Sequence, residues 1–165
     1  MSGIIADNLD VSSGLIKGAV VAGGGKVLQV LQGTSSTESS GTETSYTDTG
    51  LNVTITCAAT SSKVLVIAST TGRQDTSNGF SYFTIERQVS GGSDTNLGDS
   101  TYGMVNMRGD MLFVGHVMCH VLDSPSTTSA ITYELQRKAA VKAGAISAAM
   151  FEDIPSYIIA MEIGA

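Results

Sequence analysis

A chain of 165 residues, 42% of them apolar, suits one domain with a real core and argues against a disordered polymer. Charged residues are only 15%, with 21 Ser, 18 Thr and 19 Gly beside 2 Pro, a balance that disfavours a helical bundle and suits many short strands joined by polar turns. The net charge of −6 comes with no basic stripe, so nucleic acid is not expected as a partner; no apolar run is long enough to span a membrane as a helix, and Asp7 and Asp10 interrupt the apolar core that a secretory signal would need.

Residues 1–25 differ in character from the rest of the chain. Ile4, Ile5, Leu9, Val11, Leu15 and Ile16 are apolar, but their spacing fits neither the helical nor the strand period, and the segment ends in Gly23-Gly24-Gly25, a flexible joint. They are expected to form an extended N-terminal arm that attaches to a partner through these six side chains, ahead of a β-sandwich domain over 26–165. The competing reading is an extra edge strand or a short helix covering the sandwich.

Residues 26–32 (KVLQVLQ) are the first clear strand. Residues 33–50 are nearly pure Ser, Thr, Glu and Gly, a surface loop or a polar edge strand near 44–47. In 52–58, Val53, Ile55 and Cys57 face one side and Thr54 and Thr56 the other. Residues 63–69 (KVLVIAS) are apolar on both faces, which predicts a central strand. A turn-rich loop is expected over 71–79. The next strand, 80–89, sets Phe83, Ile85 and Val89 against Phe80, Tyr82 and Thr84. Residues 94–107 predict one or two short strands around Tyr102-Gly103.

The longest apolar run outside the N-terminal segment is 111–122, MLFVGHVMCHVL, closed by Asp123-Ser124-Pro125-Ser126. It predicts a central strand, or one that bends at Gly115. Residues 129–137 alternate cleanly, with Ile131, Tyr133 and Leu135 opposing Thr132, Glu134 and Gln136. The Ala-rich 139–149 reads as strand more readily than helix because of Gly144 and its strand-like neighbours. Pro155 marks a turn, and 157–163 is the last strand, with Tyr157, Ile159, Met161 and Ile163 on one face. The sum is an all-β chain of eight to ten strands, an antiparallel β-sandwich of the jelly-roll or immunoglobulin-like kind, with jelly-roll-like preferred.

Motifs that carry chemistry are absent or incomplete. His116 and His120 have a spacing that chelates a metal on a helix. On a strand they share a face ~13 Å apart, and Cys119 points to the other face. No metal site and no cofactor are expected. Gly23-Gly24-Gly25-Lys26 fails as a phosphate loop because Val20 and Val27 stand where Gly and Ser or Thr are needed. Residues 94–99 resemble a calcium loop only faintly, lacking the Glu that would fall at Val105. There is no GxSxG, and two carboxylates for glycosidase chemistry carry no signal in a chain with 15 acidic residues. Arg108-Gly109-Asp110 reads as a turn into the strand after it. Phe80, Phe83, Phe113 and Tyr133 read as core. Tyr46 and Tyr102, in polar surroundings, are the only aromatic candidates for a sugar site. Cys57 and Cys119 are expected to be buried free thiols.

Several stretches together carry a resemblance. They are GKVLQVLQ at 25–32, YTDTGLNVTIT at 46–56, SSKVLV at 61–66, LDSPSTTSAITY at 122–133 and the ending IAMEI at 159–163. As an ordered set they resemble a group of virion-associated proteins of tailed bacteriophages, marine and cyanobacterial phages among them, described as tail-fibre-like, head-fibre or capsid-decoration proteins. The resemblance implies a trimeric β-sandwich with a structural or adhesive task and no catalysis. It transfers a scaffold and no active site. The expectation is a non-enzymatic capsid decoration or cement protein, a homotrimer held on the major capsid protein or another virion protein by the arm, assembled in the bacterial cytoplasm. The alternative is a tail-fibre or receptor-binding module that contacts host surface glycans.

Overall fold

The computed structural model describes residues 9–10, 15–16, 25–74, 79–109, 113–139, 147–149 and 154–164. In chain order the strands are β1 (Leu9–Asp10), β2 (Leu15–Ile16), β3 (Lys26–Ser35), β4 (Ser39–Gly41), β5 (Thr47–Thr56), β6 (Lys63–Gln74), β7 (Gly79–Val89), β8 (Thr95–Asn96), β9 (Val105–Gly109), β10 (Phe113–Asp123), β11 (Ala130–Ala139), β12 (Ser147–Ala149) and β13 (Ser156–Gly164). Every pairing among them is antiparallel.

Two sheets form the sandwich. In the six-stranded sheet, β10 runs along one side of β6. On the other side β13 pairs with the first half of β6 and β12 with its end, and β3 and β4 lie outside β13 and β12. In the five-stranded sheet β11 lies between β5 and β7, and the far edge of β7 is shared by β8 and β9. Counting only the eight long strands, one sheet carries the first, eighth, third and sixth. The other carries the second, seventh, fourth and fifth. No strand is shared between the sheets among the described residues.

The two-residue alternation of the sequence builds the core. Leu51, Val53 and Ile55 of β5, Phe83 and Ile85 of β7, and Ile131, Tyr133 and Leu135 of β11 point at Val64, Val66 and Ala68 of β6, Val117 and Cys119 of β10, and Ile158 and Ala160 of β13. All are buried. Each large aliphatic side chain in this layer contributes about 1.5–3 kcal/mol by leaving water. One irregularity interrupts the alternation. From Asn52 to Asp48, β5 spends two more residues than the facing stretch of β11, and the excess is absorbed at Gly50, whose φ of +80° suits glycine. The Asp48 carboxylate accepts from the Gly50 N–H at 2.8 Å, and the Thr49 hydroxyl donates to the Leu135 carbonyl at 2.6 Å.

The structure corrects several expectations. β10 is an edge strand and not a central one, since it pairs with β6 alone among the described residues. It stays in continuous register from Phe113 to Asp123, so Gly115 makes no bend. The Ser/Thr-rich stretch holds a short polar strand at β4 as well as the start of the edge strand β5 at Thr47, with 42–46 as loop between them. The expected loop over 71–79 is shorter, because β6 runs on to Gln74 and β7 starts at Gly79. Phe113 is exposed and Phe80 half-buried on an outer face, so neither is core. In the Ala-rich stretch, Ala139 ends β11 and 147–149 form β12, while 140–146 lie outside the described residues.

Candidate interaction faces

The two outer faces of the sandwich differ in chemistry. On the five-stranded sheet, cross-strand rows read Thr54–Thr132–Gln88 and Asn52–Glu134–Glu86. Hydroxyls, amides and carboxylates bond to one another here. Thr54 and Thr132 meet at 2.9 Å, Gln88 donates to Glu134 at 3.2 Å and Gln136 donates to Glu86 at 2.7 Å. Burial, and then the charges of Asp48, Glu86 and Asp94, raise the Glu134 pKa above the ordinary carboxylate value. This is a solvated face.

The outer face of the six-stranded sheet is apolar. Its rows read Leu122–Leu65–Met161–Val30 and His120–Ile67–Ile159–Gln32, and then Met118–Ser69–Tyr157–Thr34. Val30 is 55% exposed, and Met118 and Leu122 are each 52% exposed. Four strands ~4.8 Å apart and rows ~6.6 Å apart give a face on the order of 400 Å², apolar except at His120, Gln32, Ser69 and Thr34. Val27 on β3 and Val114 on β10 continue it at the edges, while the exposed Leu31 and Phe113 stand on the inner side of those strands, in line with Ala160 and with Val117. Edge strands of a monomeric protein ordinarily carry charges or prolines that discourage pairing; neither edge has a proline, and Lys26 is their only charge before Asp123 closes β10.

The histidines lie on this apolar face. His116 and His120 are exposed, and Cys119 between them is in the core, as strand geometry requires. His116 Nε2 is 2.9 Å from Ser69 Oγ. No group of three His, Cys, Asp or Glu side chains is placed to hold a metal among the described residues. The Ser–His pair likewise has no carboxylate bonded to the second imidazole nitrogen there, so it lacks the third member of a hydrolytic triad.

Buried polar groups close one end of the core. Arg87 Nη1 donates to both oxygens of Asp123, at 2.9 and 3.0 Å, and the Tyr133 hydroxyl donates to Asp123 at 2.8 Å. In the same cross-strand row, beyond Val64, Glu162 is fully buried. It accepts from Gln29 Nε2 at 2.6 Å and from the Ala58 N–H at 2.7 Å. The Gln29 hydrogen bond, against the opposing effect of burial, leads in holding its pKa below the ordinary value. Burial pushes the Cys119 thiol up to about 12 and raises that of Cys57.

At one end of the polar sheet the character changes. Phe80 and Tyr82, alternate outward residues of β7, stack with ring centroids 6.0 Å apart and planes 8° apart. Tyr102 meets Tyr82 edge-on at 5.9 Å. Lys138 Nζ lies 4.3 Å from the Tyr46 ring centroid and 5.5 Å from that of Tyr82, and the Arg108 guanidinium is 5.4 Å from that of Phe80. Of the two tyrosines singled out from sequence, both are here; Phe80 and Tyr82 were missed as partners because alternation shows a shared face and not which loop will fold across it.

Of the six expected attachment residues, Ile4, Ile5 and Val11 lie outside the described residues. Leu9 pairs with Ile16 and Asp10 with Leu15 in a two-stranded ladder of their own, separate from both sheets. No protein-family model matches the sequence, and no curated protein matches it significantly.

Proposed function

We propose that this chain is a non-enzymatic structural protein of a tailed-phage virion, a homotrimeric capsid decoration or cement protein that docks through residues 1–25. The observation that carries the reading is the apolar outer face of the six-stranded sheet, set against the polar outer face of the other sheet. A contiguous apolar patch of this kind is often a contact surface. The face covers about half of the ~800 Å² per partner of an ordinary stable interface, so the strand edges and loops around it would furnish the rest. The apolar run Val64–Ala68 of β6 and the largely apolar β10 lie side by side in that one sheet. The strand order, first-eighth-third-sixth over second-seventh-fourth-fifth, is the order of a jelly roll, and it supports a jelly-roll-like fold. Jelly rolls recur in viral capsid proteins, a fold-level analogy that lends weight without assigning a task.

The test is binding to undecorated capsids. Full-length protein should bind at tens to hundreds of copies per particle by quantitative mass spectrometry. Deleting residues 1–24 should leave a folded trimer that no longer binds. A truncated protein that unfolds, or that still decorates capsids, contradicts the role given to the arm. The role calls for no metal, so elemental analysis finding zinc at one per chain or per trimer would count against it.

A further inference from the structure

We propose that the aromatic strip of Tyr46, Phe80, Tyr82 and Tyr102 is a carbohydrate-binding site that takes an acidic saccharide. The strip lies on the polar sheet, away from the apolar face, and the inference does not depend on the capsid role.

The first observation is concentration. The chain has no Trp, 5 Tyr and 4 Phe, and three of those tyrosines and one phenylalanine converge on this single outer patch. A solvated sheet face has no need of them. Tyr102 is 59% exposed, the most exposed large apolar side chain among the described residues.

The second observation is rigidity. Tyr102 stands on a loop that is tied down at almost every residue. The Asp99 carboxylate accepts from the N–H groups of Thr101 and Tyr102 at 2.8 and 2.7 Å. Asp99 and Gly103 exchange both backbone hydrogen bonds, and the Leu97 and Met104 N–H groups donate to Ile85 and Phe83 carbonyls. Asn96 Oδ1 accepts from Thr84 Oγ1 and from the Gly98 N–H. Gly103, at φ +67°, has no room for a side chain, since a Cβ there would run into the Phe83 carbonyl and the Tyr46 hydroxyl. An exposed ring on a preorganised loop costs little entropy when a ligand lies on it. The oxygens of 96–99 that resemble a calcium loop in sequence are used in this bracing.

The third observation concerns charge. The chain is acidic overall, yet Lys138 on β11 lies over the strip, and the carboxylate that interacts with it there, Asp99, is engaged by the Thr101 and Tyr102 N–H groups. Lys138 is held in place by the Ser100 carbonyl at 3.0 Å as well as by the rings. The rings, with Tyr102 the most exposed, supply apolar surface for the C–H face of a pyranose, the tyrosine hydroxyls supply polar edges, and the Lys138 ammonium favours a sugar that carries a carboxylate.

Hexagalacturonate, with maltohexaose as the neutral comparison, tests this by titration followed through tyrosine fluorescence, which no Trp obscures. Hexagalacturonate should bind at millimolar concentration and more tightly than maltohexaose. Tyr102→Ala should weaken it roughly tenfold with an unchanged melting temperature. Lys138→Gln should abolish the preference for the acidic sugar. Tyr157→Ala, on the opposite face, should bind as the unaltered protein does. Capsid binding by Tyr102→Ala should be retained, which separates this site from the docking role. Failure of both sugars to bind, equal binding by Tyr102→Ala, or an acidic preference that survives Lys138→Gln would overturn the proposal.

Discussion

Tyr133 and Glu162 show at single residues how this core tolerates polar groups. The Tyr133 hydroxyl is buried and spends its proton on Asp123, which Arg87 neutralises from the other side. Tyr133→Phe removes one hydrogen bond of a buried carboxylate and should cost about 1–3 kcal/mol in urea unfolding. Arg87→Met leaves that carboxylate without its cation and should cost more, about 3 kcal/mol or above; equal costs would mean that the ion pair contributes no more than the tyrosine hydrogen bond. Glu162 adds a pH dependence. Hydrogen bonding from Gln29 and Ala58 lowers its folded pKa, so the unfolded chain takes up the proton more readily. Its stabilisation is therefore complete above the ordinary carboxylate pKa and is lost as pH falls through the lower folded value. The stability gap between the unaltered protein and Glu162→Gln should be widest near neutrality and close in acid. A gap that widens in acid contradicts this. The thiols offer a further check, because burial holds Cys119 protonated at ordinary pH. A thiol reagent at pH 8 should leave Cys119 unmodified in the native protein, and both cysteines should react after denaturation without reductant. Finding none would mean a disulfide.

Strand positions and inner faces were legible in the sequence wherever a two-residue period ran uninterrupted. Val53 and Ile55 of β5, Ile131, Tyr133 and Leu135 of β11, and the division of β13 into Tyr157, Ile159, Met161 and Ile163 against the rest all come from alternation alone. What alternation cannot say is which partner covers a face. β10 looks central because both of its faces are apolar, yet the fold covers only one of them, with Val117 and Cys119, and leaves Val114, Met118 and Leu122 outside. β4 escaped because Ser-Ser-Gly carries no strand signal, and its place comes from pairing with β12, over a hundred residues later. The aromatic strip was half legible: Tyr46 and Tyr102 stand in polar stretches, but only tertiary folding brings them to Phe80 and Tyr82. The apolar face itself can be probed strand by strand. Met118→Asp and Val30→Asp place a charge on exposed positions of β10 and β3, so each should change monomer stability by no more than about 0.5 kcal/mol. Each should nevertheless dissociate an assembly that buries this face, read as a fall in sedimentation coefficient. Unchanged sedimentation in both variants would mean the face is not the contact.

At the scale of the whole molecule the sandwich is two-faced. One sheet meets its surroundings with Thr, Gln, Asn and Glu and with a rigid aromatic strip, and the other mainly with Val, Leu, Ile and Met, interrupted by two histidines and a few hydroxyls and amides. A domain of this length can bury a sufficient core alone, so the proposed assembly rests on surface chemistry and not on a shortage of core. In the proposed trimer, copies of the chain meet through the six-stranded sheet and leave the polar sheet outermost. Sedimentation equilibrium of the full-length protein at micromolar concentration tests this most directly. The account predicts a single species with three times the 17.0 kDa chain mass, reduced to the mass of one chain by Met118→Asp. A full-length protein that sediments as a 17.0 kDa monomer would contradict it.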